Sequence, residues 1–389
     1  MKGNFIKKLA TIMLIGVLSV GCLACTDQGE SANNEVNAKP LEEIVDFVLD
    51  IKENRPIKIL QLTDTQIIDA AQCRYDSRLS QGEKEKWATD TMEENVFKYM
   101  RDAVEQTSPD VIVLTGDNVY GEFDDAGTSL ERFIQEMDSY QIPWCAVFGN
   151  HDNETTKGID WTVAQYENAQ YSMFKRGNVE GNSNYTLGVT VNGKLKNVLF
   201  MIDTNGCGNS ADETGKIYKS AGIYPNQLAW FENVNKDLKD YNGGTAVPNM
   251  VFAHITIRGF ADALYDKYNY FSSKHEYFMY SGGQPVGGTF KSIRVGENND
   301  GDSGYMNTDF GGLLDSDYQL LNLAKEYGTI GFFFGHDHKN NISVVHNGIR
   351  FTYGTKTGTY DSNIAAMLGG TQILANGQDM QVTHVYYNK

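Results

Sequence analysis

Six short apolar runs recur along this 389-residue chain, and all but one lead directly into a polar residue able to bind a metal ion. The runs are "IKILQLTD" (57–64), "DVIVLTGD" (110–117), "PWCAVFGN" (143–150), "NVLFMIDT" (197–204), "NMVFAHI" (249–255) and "GTIGFFFG" (328–335). Short apolar runs bounded by turn residues read as buried β-strands. Helical patterns lie between them at about 84–107, 129–140, 226–240 and 316–327, the first ending before Pro109 and the second opening with the capping-box spacing Thr128-x-x-Glu131. Strands alternating with helices predict an α/β fold. Asn-Gly pairs at 192–193 and 347–348 predict hairpins, so the sheets are expected to be mixed. The alternating "MQVTHVYYN" at the C-terminus reads as an exposed strand.

The strand ends carry the chemistry. Asp64 follows "ILQLT", Asp117 follows "VIVLTG", Asn150 and His151 follow "CAVFG", His254 follows "MVFA", and His336 and His338 follow "FFFG". In α/β sheets the carboxyl ends of strands form the crevice where ligands bind, so five separate ends converge. Each residue alone has an ordinary reading as a turn former or capping group. Together they form a donor set of carboxylates, an amide and imidazoles, which suits Fe, Zn or Mn better than Ca. The set is too large for one four-coordinate ion and implies two ions sharing a carboxylate.

"DTQ" (64–66), "GDNVY" (116–120), "GNHD" (149–152), "FAHI" (252–255) and "GHDH" (335–338) stand in the order and roughly the spacing of the calcineurin-like metallophosphoesterase superfamily, which includes the purple acid phosphatases; the chain resembles that superfamily over nearly all of its body. The resemblance implies an αββα four-layer sandwich of two mixed sheets with a dinuclear metal site. In it Asp117 would bridge two divalent or trivalent ions, Asp64 and His338 would hold the first, and Asn150, His254 and His336 the second. His151 would serve the leaving group, with Asp152 orienting it. A water bound between two cations would then attack phosphorus in line, with no serine or cysteine nucleophile. The chain departs from the pattern at Gln66, where the superfamily commonly has histidine. Tyr120 stands where the purple acid phosphatases supply a tyrosinate to Fe(III), and is a further candidate ligand. The function implied is hydrolysis of a phosphomonoester or small phosphodiester. The alternative is a lipid-anchored binding protein that keeps the fold with a degenerate first metal site.

The N-terminus pairs Lys2, Lys7 and Lys8 with an apolar run from Leu9 to Val20, too short to span a membrane, then small residues and cysteine. It resembles a bacterial lipoprotein signal. Residues 1–25 are expected to be signal and lipid-attachment segment, with Cys22 preferred over Cys25; 26–40 reads as a flexible tether, and 41–389 as the catalytic domain. The protein is thus expected to be exported and anchored to a bacterial membrane. Of 33 basic side chains, those three lysines leave with the signal, so 30 face 50 acidic ones, a balance that disfavours bulk nucleic-acid binding. Cys73, Cys145 and Cys207 remain in the body; Cys73 and Cys207 lie in candidate site-face loops and could pair, whereas Cys145 belongs to a core strand.

The stretch 256–312, rich in Tyr, Phe and Gly, lacks a clear period and reads as a functional loop. Within it "ENNDGDSG" (297–304) lacks the EF-hand spacing and reads as a solvated loop. His275, His346 and His384 have no motif partners, while Arg74, Arg78, Arg258 and Lys356 are candidates to touch phosphate.

Overall fold

A computed structural model of the chain describes residues 38–74, 79–82, 84, 91–206, 221–270, 280, 281, 284, 285, 292–307 and 317–387. The expectations for the signal, for Cys22, Cys25 and Cys207, and for Arg78 and His275 lie outside these residues.

All six apolar runs form strands. Their shared property is burial on both faces, which permits consecutive apolar residues where a half-buried strand would alternate. The strands are β1 (Phe47–Ile51), β2 (Ile57–Leu62), β3 (Val111–Thr115), β4 (Trp144–Val147), β5 (Tyr185–Val191), β6 (Lys194–Met201), β7 (Asn249–Phe252), β8 (Tyr280–Ser281), β9 (Gln284–Pro285), β10 (Ile293–Val295), β11 (Gly304–Met306), β12 (Thr329–Phe334), β13 (Ser343–His346), β14 (Ile349–Tyr353), β15 (Gly369–Asn376) and β16 (Asp379–Tyr386). The helices are α1 (Leu41–Ile44), α2 (Thr91–Thr107), α3 (Thr128–Ser139), α4 (Ile159–Asn168), α5 (Pro225–Tyr241), α6 (Arg258–Tyr268) and α7 (Asp317–Glu326).

One sheet has seven strands in the order β1-β5-β6-β7-β12-β14-β13, the other five in the order β16-β15-β2-β3-β4. Both are mixed: β2, β3 and β4 run parallel, as do β6, β7 and β12, while the hairpins β5–β6 and β13–β14 pair antiparallel. Asn192 and Asn347 take φ of 50° and 52° beside Gly193 and Gly348 at φ of 75° and 80°, the left-handed pair that two-residue hairpins require.

The three phenylalanines of β12 show how the layers stack. Phe333 stacks on Phe252 of β7 (ring centroids 5.0 Å apart) and joins Leu199, Met201 and Met250 in the core against the five-stranded sheet. Phe332 and Phe334 point the other way, into a second core with Phe231 of α5, Phe260 of α6 and Leu321 of α7. Helices α2 and α3 cover the five-stranded sheet through Phe97, Met100, Phe133 and Met137. The layers therefore run helix, sheet, sheet, helix, as the sandwich expectation requires. Each fully buried phenylalanine contributes about 1.5–3 kcal/mol relative to exposure.

Two local expectations are corrected. Helix α3 opens without a capping box: Gly127 precedes it at φ 76°, and the Asp124 carboxylate instead accepts the backbone N–H of Ser129 (2.8 Å) and Leu130 (3.0 Å). The stretch 256–312 begins with α6, whose Phe260, Ala261, Ala263 and Leu264 are buried at helical spacing. The acidic loop after β10 closes on Asp302, which is fully buried, pairs with the Lys267 ammonium and accepts from Tyr268 Oη (2.5 Å) and Val345 N (2.7 Å). Lysine neutralises this carboxylate, while residues 297–301 before it are exposed, as expected of a solvated loop.

Candidate active site

The carboxyl ends of β2, β3, β4, β7 and β12 bring their polar successors together. Four of these residues hold left-handed backbone conformations that side chains rarely adopt: Asp64 (φ 50°), Gln66 (φ 47°), Asp117 (φ 51°) and His336 (φ 73°). Such strain clusters where the surrounding structure fixes a functional geometry. The glycines of the motifs are sterically required. A Cβ on Gly149 would lie 2.1 Å from Asp117 Oδ1, and one on Gly335 would lie 2.0 Å from Thr63 Oγ1 and 2.8 Å from Asp64 Oδ2.

Two groups of ligand atoms result, each within 4.8 Å: Asp117 with His254 and His336, and Asp64 with Asp117 and His338. Asp117 belongs to both. Asn150 joins the first group, its Oδ1 lying 3.1 Å from His254 Nε2, which is also 3.3 Å from Asp117 Oδ2. His254 Nδ1 lies 2.8 Å from the Thr115 carbonyl and donates to it, which leaves the Nε2 lone pair facing those two oxygens. Three acceptors therefore converge on one point, an arrangement that only a proton or a cation satisfies. At the other group, Asp64 Oδ1 is buried without a hydrogen bond among the described residues and lies 3.3 Å from His338 Nε2. The orphaned oxygen and the facing lone pairs fit a pair of metal ions.

Electrostatics follow from this crowding. Burial would raise the Asp64 and Asp117 carboxyls, but His338 beside one and His254 and His151 beside the other outweigh it and hold both below the usual range. Burial lowers His254, yet Asp117 and Asp64 lift it to about 10; His336, buried and close to His254, is pushed down to about 3. The two carboxylates thus call for a positive charge at His254 Nε2, which a proton or a cation supplies.

The structure redistributes two roles. Asp152 does not touch His151 through any hydrogen bond among the described residues. Its Oδ2 accepts from the backbone N–H of Gly149 (2.7 Å) and Asp117 (2.8 Å), and its Oδ1 from Asn118 (2.9 Å) and Val119 (3.3 Å), so it ties the "GDN" and "GNHD" loops together. The partner of His151 is Glu154, whose Oε2 lies 2.8 Å from Nδ1, leaving Nε2 facing Asp117 Oδ2 at 3.9 Å. Burial lowers His151, but Glu154 and Asp117 raise it to about 9. Glu154 went unread in the sequence, though its position three residues after His151 was a usable signal. Tyr120 is buried with its ring stacked on His151, centroids 3.6 Å apart, and packs with Phe123 and Tyr360.

The remaining candidates separate cleanly. Arg74 reaches Asp125 (3.0 Å) and the Glu154 carbonyl (2.7 Å), supporting the loop that carries Glu154. Arg258 opens α6. His346 pairs with Asp266 at 3.1 Å, and His384 sits on β16 against Thr371 Oγ1 at 3.0 Å. Cys145 is buried in β4, which pushes its thiol up to about 12. Lys356 lies in the site itself, buried beside Asp64 and Gln66, its ammonium drawn down by burial to about 8 against the pull of Asp64, Asp361 and Asp117.

A sequence profile of the calcineurin-like phosphoesterases matches residues 57–340, which contain every one of the candidate ligands. The chain belongs to the calcineurin-like phosphoesterase family. Among the relatives of this chain, the Arabidopsis thaliana protein named "Probable inactive purple acid phosphatase 29" is 27% identical over 233 residues, 53% of this chain and 56% of that protein. "Probable inactive purple acid phosphatase 28" of the same plant is 44% identical over 63 residues, 16% of each chain. The Saccharomyces cerevisiae "Phosphatase DCR2" is 23% identical over 236 residues, 57% of this chain and 38% of that protein. The match thus spans little more than half of these relatives' length at most. A dimetal phosphatase from Danio rerio aligns over 86% of this chain and all of its own, at 12% identity and a TM-score of 0.46.

Proposed function

We propose that this phosphoesterase hydrolyses a small phosphomonoester or phosphodiester with two metal ions, Fe, Zn or Mn, sharing Asp117. The observation that carries the reading is that Asp117 belongs to both groups of converging ligand atoms. Asp64 and His338 would complete the first position, with Tyr120 as a candidate phenolate, and Asn150, His254 and His336 the second. Bound there, the ions would supply an activated water and neutralise charge on the phosphoryl oxygens.

The chain's own residues supply the rest. Glu154 holds Nδ1 of His151, so that Nε2 faces the site and can place a proton on the departing oxygen. Asp152 and the four N–H groups it accepts keep the Asp117 and Asn150 loops in register. The formal charge of −17 for the whole chain disfavours a polyanionic substrate and favours a small ester, held by local cations against a diffuse negative field.

The test is metal analysis paired with hydrolysis of chromogenic phosphomonoester and phosphodiester substrates. Turnover of either, lost on chelation and restored by metal, is expected. The second reading, a binding protein with a degenerate first site, is favoured by Gln66 in place of histidine and by the word "inactive" in the relatives' names. Stoichiometric metal with neither substrate turned over would decide for it.

We propose further that the chain is exported and held at a bacterial membrane through a lipid on Cys22. Labelled fatty acid incorporated by the wild type and by Cys25→Ala, but not by Cys22→Ala, is the expected result; incorporation by neither would reject the anchor.

A further inference from the structure

Gln66 stands where a ligand is expected, yet its carbonyl oxygen is already taken. Gln66 is 1% exposed, and its Oε1 accepts from Lys356 Nζ at 2.6 Å. Lys356 is itself 2% exposed and also donates to the Asp64 carbonyl at 3.1 Å. Its position is fixed by the backbone around it: Thr357 N donates to Thr63 O (2.9 Å), Gly358 N donates to Asp64 O (3.1 Å), and Thr63 N donates to Thr357 Oγ1 (3.0 Å). A Cβ on Gly358 would fall 2.0 Å from Thr65 O, so the two backbones meet too closely there for any residue but glycine.

An amide whose oxygen faces a buried ammonium must turn its NH2 the other way. Here Gln66 Nε2 lies 3.2 Å from Nε2 of His338, whose lone pair the first ion would take. An amide NH2 has no lone pair to offer a cation and two protons to offer an acceptor. Turning the amide over would set NH2 against the Lys356 ammonium and leave two donors opposed in a buried place.

We infer that Gln66 is not a metal ligand but a hydrogen-bond donor to an oxygen of the bound phosphate group, held in that orientation by Lys356. The pair replaces a ligand at the first metal position with an anion contact, so recognition of the phosphoryl group is shared between the ions and a neutral donor backed by a fixed positive charge. The inference rests on the dinuclear phosphoesterase reading above.

The experiment measures two quantities on the metal-loaded protein, inorganic phosphate affinity by calorimetry and metal content by elemental analysis, for the wild type, Gln66→Glu, Gln66→Ala and Lys356→Met. Gln66→Glu is isosteric and keeps a partner for Lys356, so it guards against loss of fold; cooperative unfolding is checked for all. Phosphate affinity is expected to fall about 10- to 100-fold in Gln66→Glu, as for loss of a hydrogen bond to a charged group, and by a similar factor in Gln66→Ala. Metal content should not fall in either. Lys356→Met frees the amide to turn its oxygen toward the first ion, so phosphate should weaken while that ion binds more tightly. Unchanged phosphate affinity in both Gln66 variants, or loss of an ion on Gln66→Ala, would overturn the inference and leave the phosphoesterase reading standing. A wild type that binds neither metal nor phosphate would overturn both.

Discussion

Asp152→Asn separates scaffold from chemistry at this site. The carboxylate is 4% exposed and accepts four backbone N–H groups, two on each oxygen. Replacing one oxygen by NH2 removes two of those hydrogen bonds and sets a donor against two donors. Hydrogen bonds to a charged partner contribute about 1.5–3 kcal/mol each, so the loss is roughly 3–6 kcal/mol. With an unfolding entropy of about 2.1 cal/mol/K per residue over roughly 350 folded residues, 1 kcal/mol moves Tm by about 1.4 °C, and the expected drop is about 4–8 °C. Burial pushes Asp152 up to about 7, so the scan belongs at about pH 8, where the carboxylate is charged. It also belongs in chelator, so that metal binding does not mask the change. Because the same contacts seat Asp117 and Gly149, metal content should fall with stability. A variant that melts within about 1 °C of the wild type, keeps its metal and loses turnover would refute the scaffold role and restore Asp152 to the chemistry of His151.

His151→Ala should retain both metal ions and lose about 10²–10⁴ in turnover, the usual contribution of a positioned proton donor; Glu154→Gln should lower turnover in the same direction with metal unchanged, and loss of metal from either would misplace the role. If Tyr120 serves the first ion as a phenolate, iron-loaded protein absorbs broadly in the visible and Tyr120→Phe abolishes the band, because only a strongly polarising ion brings a phenol of pKa about 10 into its ionised form; a band indifferent to the substitution rejects the phenolate.

The strands were legible because central strands need apolar residues on both faces, as the "FFF" of β12 shows by feeding both cores. The sites at their ends were legible for the same reason: topology gathers parallel strand ends, whatever their distance along the chain. Strand β1 went unread, a five-residue strand half-buried beside its partner, and β5 was signalled only by the Asn-Gly turn after it, its own run diluted by Gly188 and threonines. The capping box at Thr128 had the right spacing, but a left-handed Gly127 turned the chain so that Asp124 took its place. Hydrogen-bond partners were the least legible feature. Asp152 is next to His151 in sequence and turns away, whereas Glu154 turns toward it; Gln66 meets Lys356, 290 positions later, across a backbone clasp that no local pattern announces.

The claim that two ions share one carboxylate is tested most directly by counting metal. Protein loaded with excess Zn or Mn, freed of loose metal and measured by elemental analysis should hold two ions per chain. His254→Ala and His338→Ala should each lower the count toward one, since each strips a ligand from a different position, and Asp117→Asn should lower it toward none. A wild type with one ion or none, or an Asp117→Asn protein that still holds two, would contradict the account.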